Sequence, residues 1–145
     1  MIKTTFDCDP SLVSPNINCV KLLIKRVFVD KKIKDAELSC IFCNDNFLLK
    51  LNKKFLKKNH FTDVIAFRLN NYEEKKIEGE IYISLPRAKE NAKVYEEPYE
   101  KEVARLIIHG CLHLLGYLDE TKNQKQIMTN LENVFLDRMI WEKLF

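Results

Sequence analysis

Glycine and proline are scarce in this chain of 145 residues, at three and four respectively, which excludes collagen-like and low-complexity architectures. Long apolar runs are missing too. The longest candidate, Leu106 to Leu118, is interrupted by His109, Gly110 and His113 and falls well short of the ~20 apolar residues a membrane helix needs. The opening residues Met1-Ile-Lys-Thr-Thr-Phe6 have neither the basic start nor the apolar run of a secretory signal, so a cytoplasmic protein free of the membrane is expected. An excess of one charge is also lacking. Lys plus Arg number 24 and Asp plus Glu 21, a net +3, with 46% hydrophobic residues. That balance belongs to a globular chain, not a disordered one, and the length suits one domain spanning 1–145. The five cysteines are an odd number without a secretion signal, which points to reduced thiols and away from a disulfide framework.

What is present is a mixture of periodicities. Ile2 to Phe6 reads as a first strand. Val20, Leu23, Ile24, Val27 and Phe28 recur at helical spacing after Ser14-Pro-Asn16, through about Asp30. Glu37 to Cys43 is a strand of β-favouring residues. Cys40 and Cys43 lie on it three apart, hence on opposite faces, so core packing accounts for them better than a metal or redox pair. Asn44 or Asp45 can cap a helix whose apolar stripe is Phe47, Leu48, Leu51 and Phe55. Leu51 and Phe55 are expected on its buried side, with Lys53, Lys54, Lys57 and Lys58 keeping the other side wet.

Asp63 to Leu69 reads as a second central strand, followed by a charged turn over Asn70 to Lys76 and a hairpin partner from Ile77 to Leu85. Pro86 fits the first turn of a helix running through Ala92 and Val94. A further helix is expected from Pro98 to Leu115, stopped by Gly116, and a final amphipathic one from Thr121 to Leu144. The expected fold class is α+β: a small mixed β-sheet of about four strands covered by about five helices.

Chemistry concentrates in His109-Gly-Cys-Leu-His-Leu-Leu-Gly-Tyr-Leu-Asp119. His109 and His113 are four apart, on one helical face, and can aim two imidazoles at one point. Gly116 permits the left-handed turn that ends the helix, and Asp119, three residues on, can return a carboxylate to the same place. Asp119, not Asp137, Glu120 or His60, is expected to complete the site: Glu120, one residue further along an extended segment, points the other way, and no local geometry aims the remote His60 at the pair. Lone histidines on apolar helices are usually core residues. Two of them four apart among Ile107, Ile108, Leu112, Leu114 and Leu115 would leave several polar atoms to satisfy, and one ion satisfies both. Two imidazoles and a carboxylate suit a hydrolytic zinc site with an open position; other divalent metals can bind such a set, but imidazole leans it toward zinc.

The spacing resembles the metal-binding run of metzincin proteases, H-E-x-x-H, but Gly110 stands where that family carries its general-base Glu. Another family matches better. His109-Gly-Cys-Leu-His-Leu-Leu-Gly-Tyr117 resembles the H-G-x-L-H-L-x-G-Y run of the YbeY family throughout, including that glycine. Leu51-Asn-Lys-Lys-Phe-Leu-Lys-Lys-Asn-His-Phe-Thr-Asp-Val-Ile-Ala-Phe67 is similar to its L-N-x-x-Y-R-x-K-D-x-P-T-D-V-L-S-F, and Gly79-Glu-Ile-Tyr-Ile-Ser84 to its G-D-I-x-I-S/C. The resemblance implies a single-domain, metal-dependent endoribonuclease of rRNA maturation, with precursor rRNA and the ribosomal subunit as partners and one Zn²⁺ per chain on His109, His113 and Asp119.

Two positions depart from the family pattern. Asp119 stands where most members have a third His, and Leu56 where the pattern has an Arg implicated in function. Lys53, Lys54, Lys57 and Lys58 flank Leu56, and Lys57 and Lys58, with Thr62 and Asp63 of the T-D run, are the candidate substrate contacts; a lysine is not a bidentate guanidinium. His60 is read as a surface residue, Tyr117 as packing, and Glu80 as the exposed half of an alternating strand. A non-catalytic assembly factor with a structural zinc is the alternative reading, and a metzincin-like protease lacking its Glu a weaker one.

Overall fold

The computed structural model describes residues 1–145, in the order β1 (Ile2–Cys8), α1 (Ile17–Asp30), β2 (Ala36–Cys43), α2 (Asp45–Leu56), β3 (Val64–Arg68), β4 (Ile77–Ser84), α3 (Leu85–Val94), α4 (Tyr99–Leu114) and α5 (Lys122–Arg138). The strands form one mixed sheet in the order β1-β2-β4-β3. β1, β2 and β4 run parallel, while β3 pairs with β4 as an antiparallel hairpin arm, Val64 opposite Ile83 and Arg68 opposite Gly79. The α+β expectation of four strands and five helices matches the observed fold.

Local chemistry explains most boundaries. Asn16 and Asn44 cap α1 and α2 by accepting from Cys19 N and Phe47 N, and Ser84 caps α3 by accepting from Arg87 N. Thr121 and Gln124 form a reciprocal capping box at the start of α5. One face of the sheet carries the main core, in which Ile24, Phe28, Phe42, Ile81, Ile107 and Leu112 are fully enclosed. Each such side chain contributes ~1.5–3 kcal/mol of gross burial energy. On the opposite face α2 lays its own Leu48 over Cys43 and Ile65.

α4 is the central helix, packed between α1, α3 and α5 and against β3 and β4. Two glycines let it settle onto the sheet. A Cβ at Gly110 would stand 2.7 Å from Ile81 Cγ2, and one at Gly79 2.7 Å from Leu114 Cδ2. This interlock presses one side of α4 onto β4, and the histidine side opens beside β3.

The structure corrects four expectations. β1 continues to Cys8, beyond Phe6. The run from Asp63 forms an edge strand, not a central one. It reads as central because both of its faces are covered: Val64 and Ala66 pack on the main core, while Ile65 and Phe67 pack on the cluster under α2. On α2, Phe55 is 55% exposed and touches Phe67 edge-on, while the buried positions are Leu48 and the polar Asn52. Asn52 turns inward because its Nδ2 donates to the His60 carbonyl at 2.9 Å, tying down the loop after α2. Finally, α5 ends at Arg138, not Leu144. Met139 is extended, and the chain turns so that Leu144 is buried and its carbonyl accepts from Asn16 N at 2.7 Å.

The thiols are core residues. Cys40 lies in the main core and Cys43 in the cluster under α2, on opposite sheet faces, and burial pushes both up to about 12. All five cysteines are free.

Candidate metal centre

The last turns of α4 and the loop after it build the site. His109 and His113 stand one helical turn apart with their Nε2 atoms 3.0 Å from each other. Leu115 is the C-cap, and Gly116 takes φ +103°, a conformation that L side chains rarely adopt. The chain then folds back, and Asp119 Oδ2 comes to rest 3.3 Å from His109 Nε2 and 3.4 Å from His113 Nε2. The three donors lie within 4.8 Å of one another. Glu120, by contrast, gives its backbone N–H to Gln124 at the start of α5.

The ring protons are set by the partners behind each imidazole. His113 Nδ1 faces the carbonyl of Tyr117 at 2.9 Å, and His109 Nδ1 faces the carboxylate of Glu132 at 2.6 Å. Both partners accept, so each Nδ1 carries the hydrogen and each Nε2 presents a lone pair. Two lone pairs 3.0 Å apart, beside a carboxylate oxygen, repel unless a positive charge, a metal ion or a proton, stands between them. The triangle of 3.0, 3.3 and 3.4 Å edges also suits the purpose: donors held at ~2.0–2.1 Å around a tetrahedral ion are ~3.3 Å apart. These residues fit a metal.

Electrostatics separate the two histidines. Burial opposes charge on His109, but the hydrogen bond and charge of Glu132, joined by Asp119 and Asp63, raise it above the ordinary range. His113 has only a neutral carbonyl behind it; burial and the neighbouring His109 lower it.

Around this group lie two cavities that share His109, Asp119 and Asp63 as a common wall. One, of 310 Å³, is a cleft between α4, β3 and the loop after α2, and its lining includes Leu56, Lys58, His60 and Thr62. The other, of 890 Å³, opens toward α5 and includes Glu102, Arg105 and Glu132. Of the candidate substrate contacts, the structure therefore brings Lys58, Thr62 and Asp63 to the cleft. It leaves Lys57 out of the lining, where it caps α2 in a left-handed conformation. His60 is exposed as expected, yet it lines the cleft. Asp63 is raised by burial and accepts from Asn91 Nδ2 at 3.0 Å. Glu80 is half-buried on the strand face opposite Ile81 and lines neither cavity. Tyr117 serves the site through its carbonyl, while its ring packs against the core.

Gly110 counts against the protease reading: no side chain stands where that family has its general base, and a Cβ there would point at Ile81 of the sheet. Sequence reasoning overlooked Glu132 and Arg105. A signal for Glu132 was available: it falls on the inward stripe of α5 with Met128, Phe135 and Leu136, where an apolar residue belongs.

Fold and site together define a class: a four-stranded α+β protein whose central helix presents a His–His–carboxylate group able to hold a metal ion. Residues 13–140 match the family model described as endoribonuclease YbeY. The chain belongs to the YbeY family. It is 43% identical to the endoribonuclease YbeY of Karelsulcia muelleri over 69% of this chain and 70% of that one. It is 40% identical to that of Amoebophilus asiaticus, over 84% and 82%, and 38% identical to that of Cytophaga hutchinsonii, over 81% of each chain. The solution structure of TM1509 from Thermotoga maritima shares the fold, with TM-score 0.63 and 24% identity over 92% of this chain and 87% of that one. No helix is long and apolar enough to cross a membrane.

Proposed function

We propose that this chain is a zinc-dependent endoribonuclease that hydrolyses phosphodiesters of precursor rRNA during ribosomal-subunit maturation in the cytoplasm. The observation that carries the reading is the His109–His113–Asp119 triangle at the wall of an open cleft, in a chain whose relatives are named as endoribonucleases. His109 Nε2, His113 Nε2 and Asp119 Oδ2 would hold the ion. A divalent cation in such a place supplies Lewis-acid polarisation of a phosphoryl oxygen and acidifies water.

The remaining work falls to side chains of the cleft. The Lys58 ammonium lines it and attracts the RNA backbone. Thr62 lines it too, and its hydroxyl would hydrogen-bond a phosphate or sugar oxygen. Asp63 is a buried carboxyl that takes up a proton more readily than an exposed one, and it adjoins the ligand group. Leu56 adds an apolar wall where the family pattern carries Arg, leaving Lys58 as the cation among the lining residues. A structural zinc would call for a fourth protein ligand, and the group offers three; Cys111, near in sequence, is fully buried in the core.

The test is cleavage of an rRNA-derived oligonucleotide by zinc-loaded protein, with His113→Ala and chelator-treated protein as controls. Cleavage abolished by both treatments is the expected result. Cleavage that survives both assigns the activity to something other than this site.

A further inference from the structure

We propose that Glu132 is a positioning residue of the metal centre: it holds His109 in the tautomer and orientation that ligate, and Arg105 holds Glu132 in turn. The inference rests on the reading that His109, His113 and Asp119 bind a divalent cation.

Glu132 is 5% exposed on the inward stripe of α5. A carboxylate so placed is costly unless both oxygens are occupied. Each has one partner. Oε2 lies 2.6 Å from His109 Nδ1, and Oε1 accepts from Arg105 Nη1 at 3.1 Å. The guanidinium is pinned on its other side, where Nη2 donates to Asn133 Oδ1 at 2.9 Å. Arg105 is one helical turn before His109 on α4, and Asn133 follows Glu132 on α5. The relay therefore crosses the helix interface twice.

Its consequence is directional. With Nδ1–H committed to a carboxylate, the His109 lone pair must face the site through Nε2, and the negative charge behind the ring makes that nitrogen a stronger donor. His113 has only the Tyr117 carbonyl behind it, so the two imidazoles are not interchangeable ligands. α5 also follows the third ligand closely: its capping residue Thr121 lies two residues after Asp119. The same helix thus begins just after Asp119 and delivers Glu132 three turns later. The 2.6 Å contact spans 23 residues of sequence, and it makes α5 part of the metal centre.

The test compares Glu132→Gln, which keeps shape and an acceptor but loses charge, with Glu132→Leu, which loses both, and with His113→Ala as the ligand-loss control. Zinc affinity is measured by competition with a chromophoric chelator, and the His109 tautomer by long-range ¹⁵N–¹H NMR on metal-free protein. A graded loss is expected, Gln milder and Leu stronger, spanning ~10–100-fold, with His113→Ala far worse. In the wild type the neutral His109 ring should be Nδ1–H, and in Glu132→Leu a mixture. Affinities of both Glu132 variants within about twofold of wild type, with an unchanged tautomer, would overturn the proposal. If the wild type takes up no zinc, the metal reading fails, and the tautomer measurement still decides the role of Glu132. Should Glu132→Leu not fold, Glu132→Gln carries both readouts.

Discussion

Replacing Gly110 by alanine adds one methyl group at the closest approach between α4 and the sheet. An added Cβ would lie 2.7, 3.1 and 3.2 Å from Cγ2, Cδ1 and Cγ1 of Ile81, a side chain with no exposure and no free end to swing away. Alanine is the better helix former by ~1 kcal/mol, so intrinsic propensity alone would make the substitution stabilising. Packing should reverse that sign. Overfilling a close-packed core costs ~1–3 kcal/mol, and prying α4 from β4 also loosens neighbours such as Ile107 and Leu114. The three close contacts set the cost at the upper end of that range, ~2–3 kcal/mol, so the net expectation after the propensity gain is a loss of ~1–2 kcal/mol. For a chain of this size that is a fall of ~3–6 °C in Tm. A urea titration reads it as a lower midpoint at unchanged slope. The cycle with Ile81→Ala isolates the cause. That substitution alone should cost ~2–5 kcal/mol through its cavity, and the double variant should be less destabilised than the two losses summed, because the alanine methyl occupies vacated space. Gly110→Ala as stable as wild type, or additive with Ile81→Ala, would refute the packing argument.

Further outcomes follow from other contacts. Gly116→Ala, at φ +103°, should lower stability by ~1–2 kcal/mol and weaken zinc uptake by displacing Asp119, which calorimetry reads. Asn52→Ala removes the donor to the His60 carbonyl; a loss of ~1–2 kcal/mol and faster amide exchange over residues 57–62 are expected. Lys58→Ala should weaken RNA binding across all sequences and lower the slope of log affinity against log salt by about one. Glu102 lies buried, its carboxyl pushed up to about 7 first by burial and then by Asp63 and Glu132, against the pull of Arg105 and Asn91. A carboxyl raised on folding favours the fold while protonated, below its unfolded value of ~4.3, and this contribution is lost as pH climbs toward about 7. Denaturant midpoints at pH 5 and pH 8 should therefore fall more steeply for wild type than for Glu102→Gln.

The His109–His113–Asp119 triangle was readable because every step of it is local. His109 and His113 need only helical periodicity, and Asp119 needs only a glycine that stops the helix three residues earlier. Glu132 was not readable in the same way. A carboxylate on an amphipathic helix ordinarily faces water, and only the register of Met128 and Phe135 around it marks the inward side. Arg105 follows from Glu132 and shares its obscurity. The edge position of β3 was hidden by burial on both faces, since a covered edge strand and a central strand show the same apolar run. The early end of α5 was hidden because Ile140, Trp141 and Leu144 keep a helical spacing with no glycine or proline to mark the stop. The inward turn of Asn52 depends on the path of a loop eight residues away, which no local pattern encodes. Gly110 shows the reverse: its presence was plain, but its reason, contact with Ile81, needed the packed sheet.

The most direct measurement of the central claim is metal content and zinc affinity of purified wild-type protein beside His113→Ala and Asp119→Asn, by elemental analysis and chelator competition. With three protein ligands, loss of one should collapse binding, not trim it. The account predicts about one zinc per wild-type chain, none retained by His113→Ala, and strongly weakened binding in Asp119→Asn. Equal zinc content in wild type and His113→Ala would contradict it.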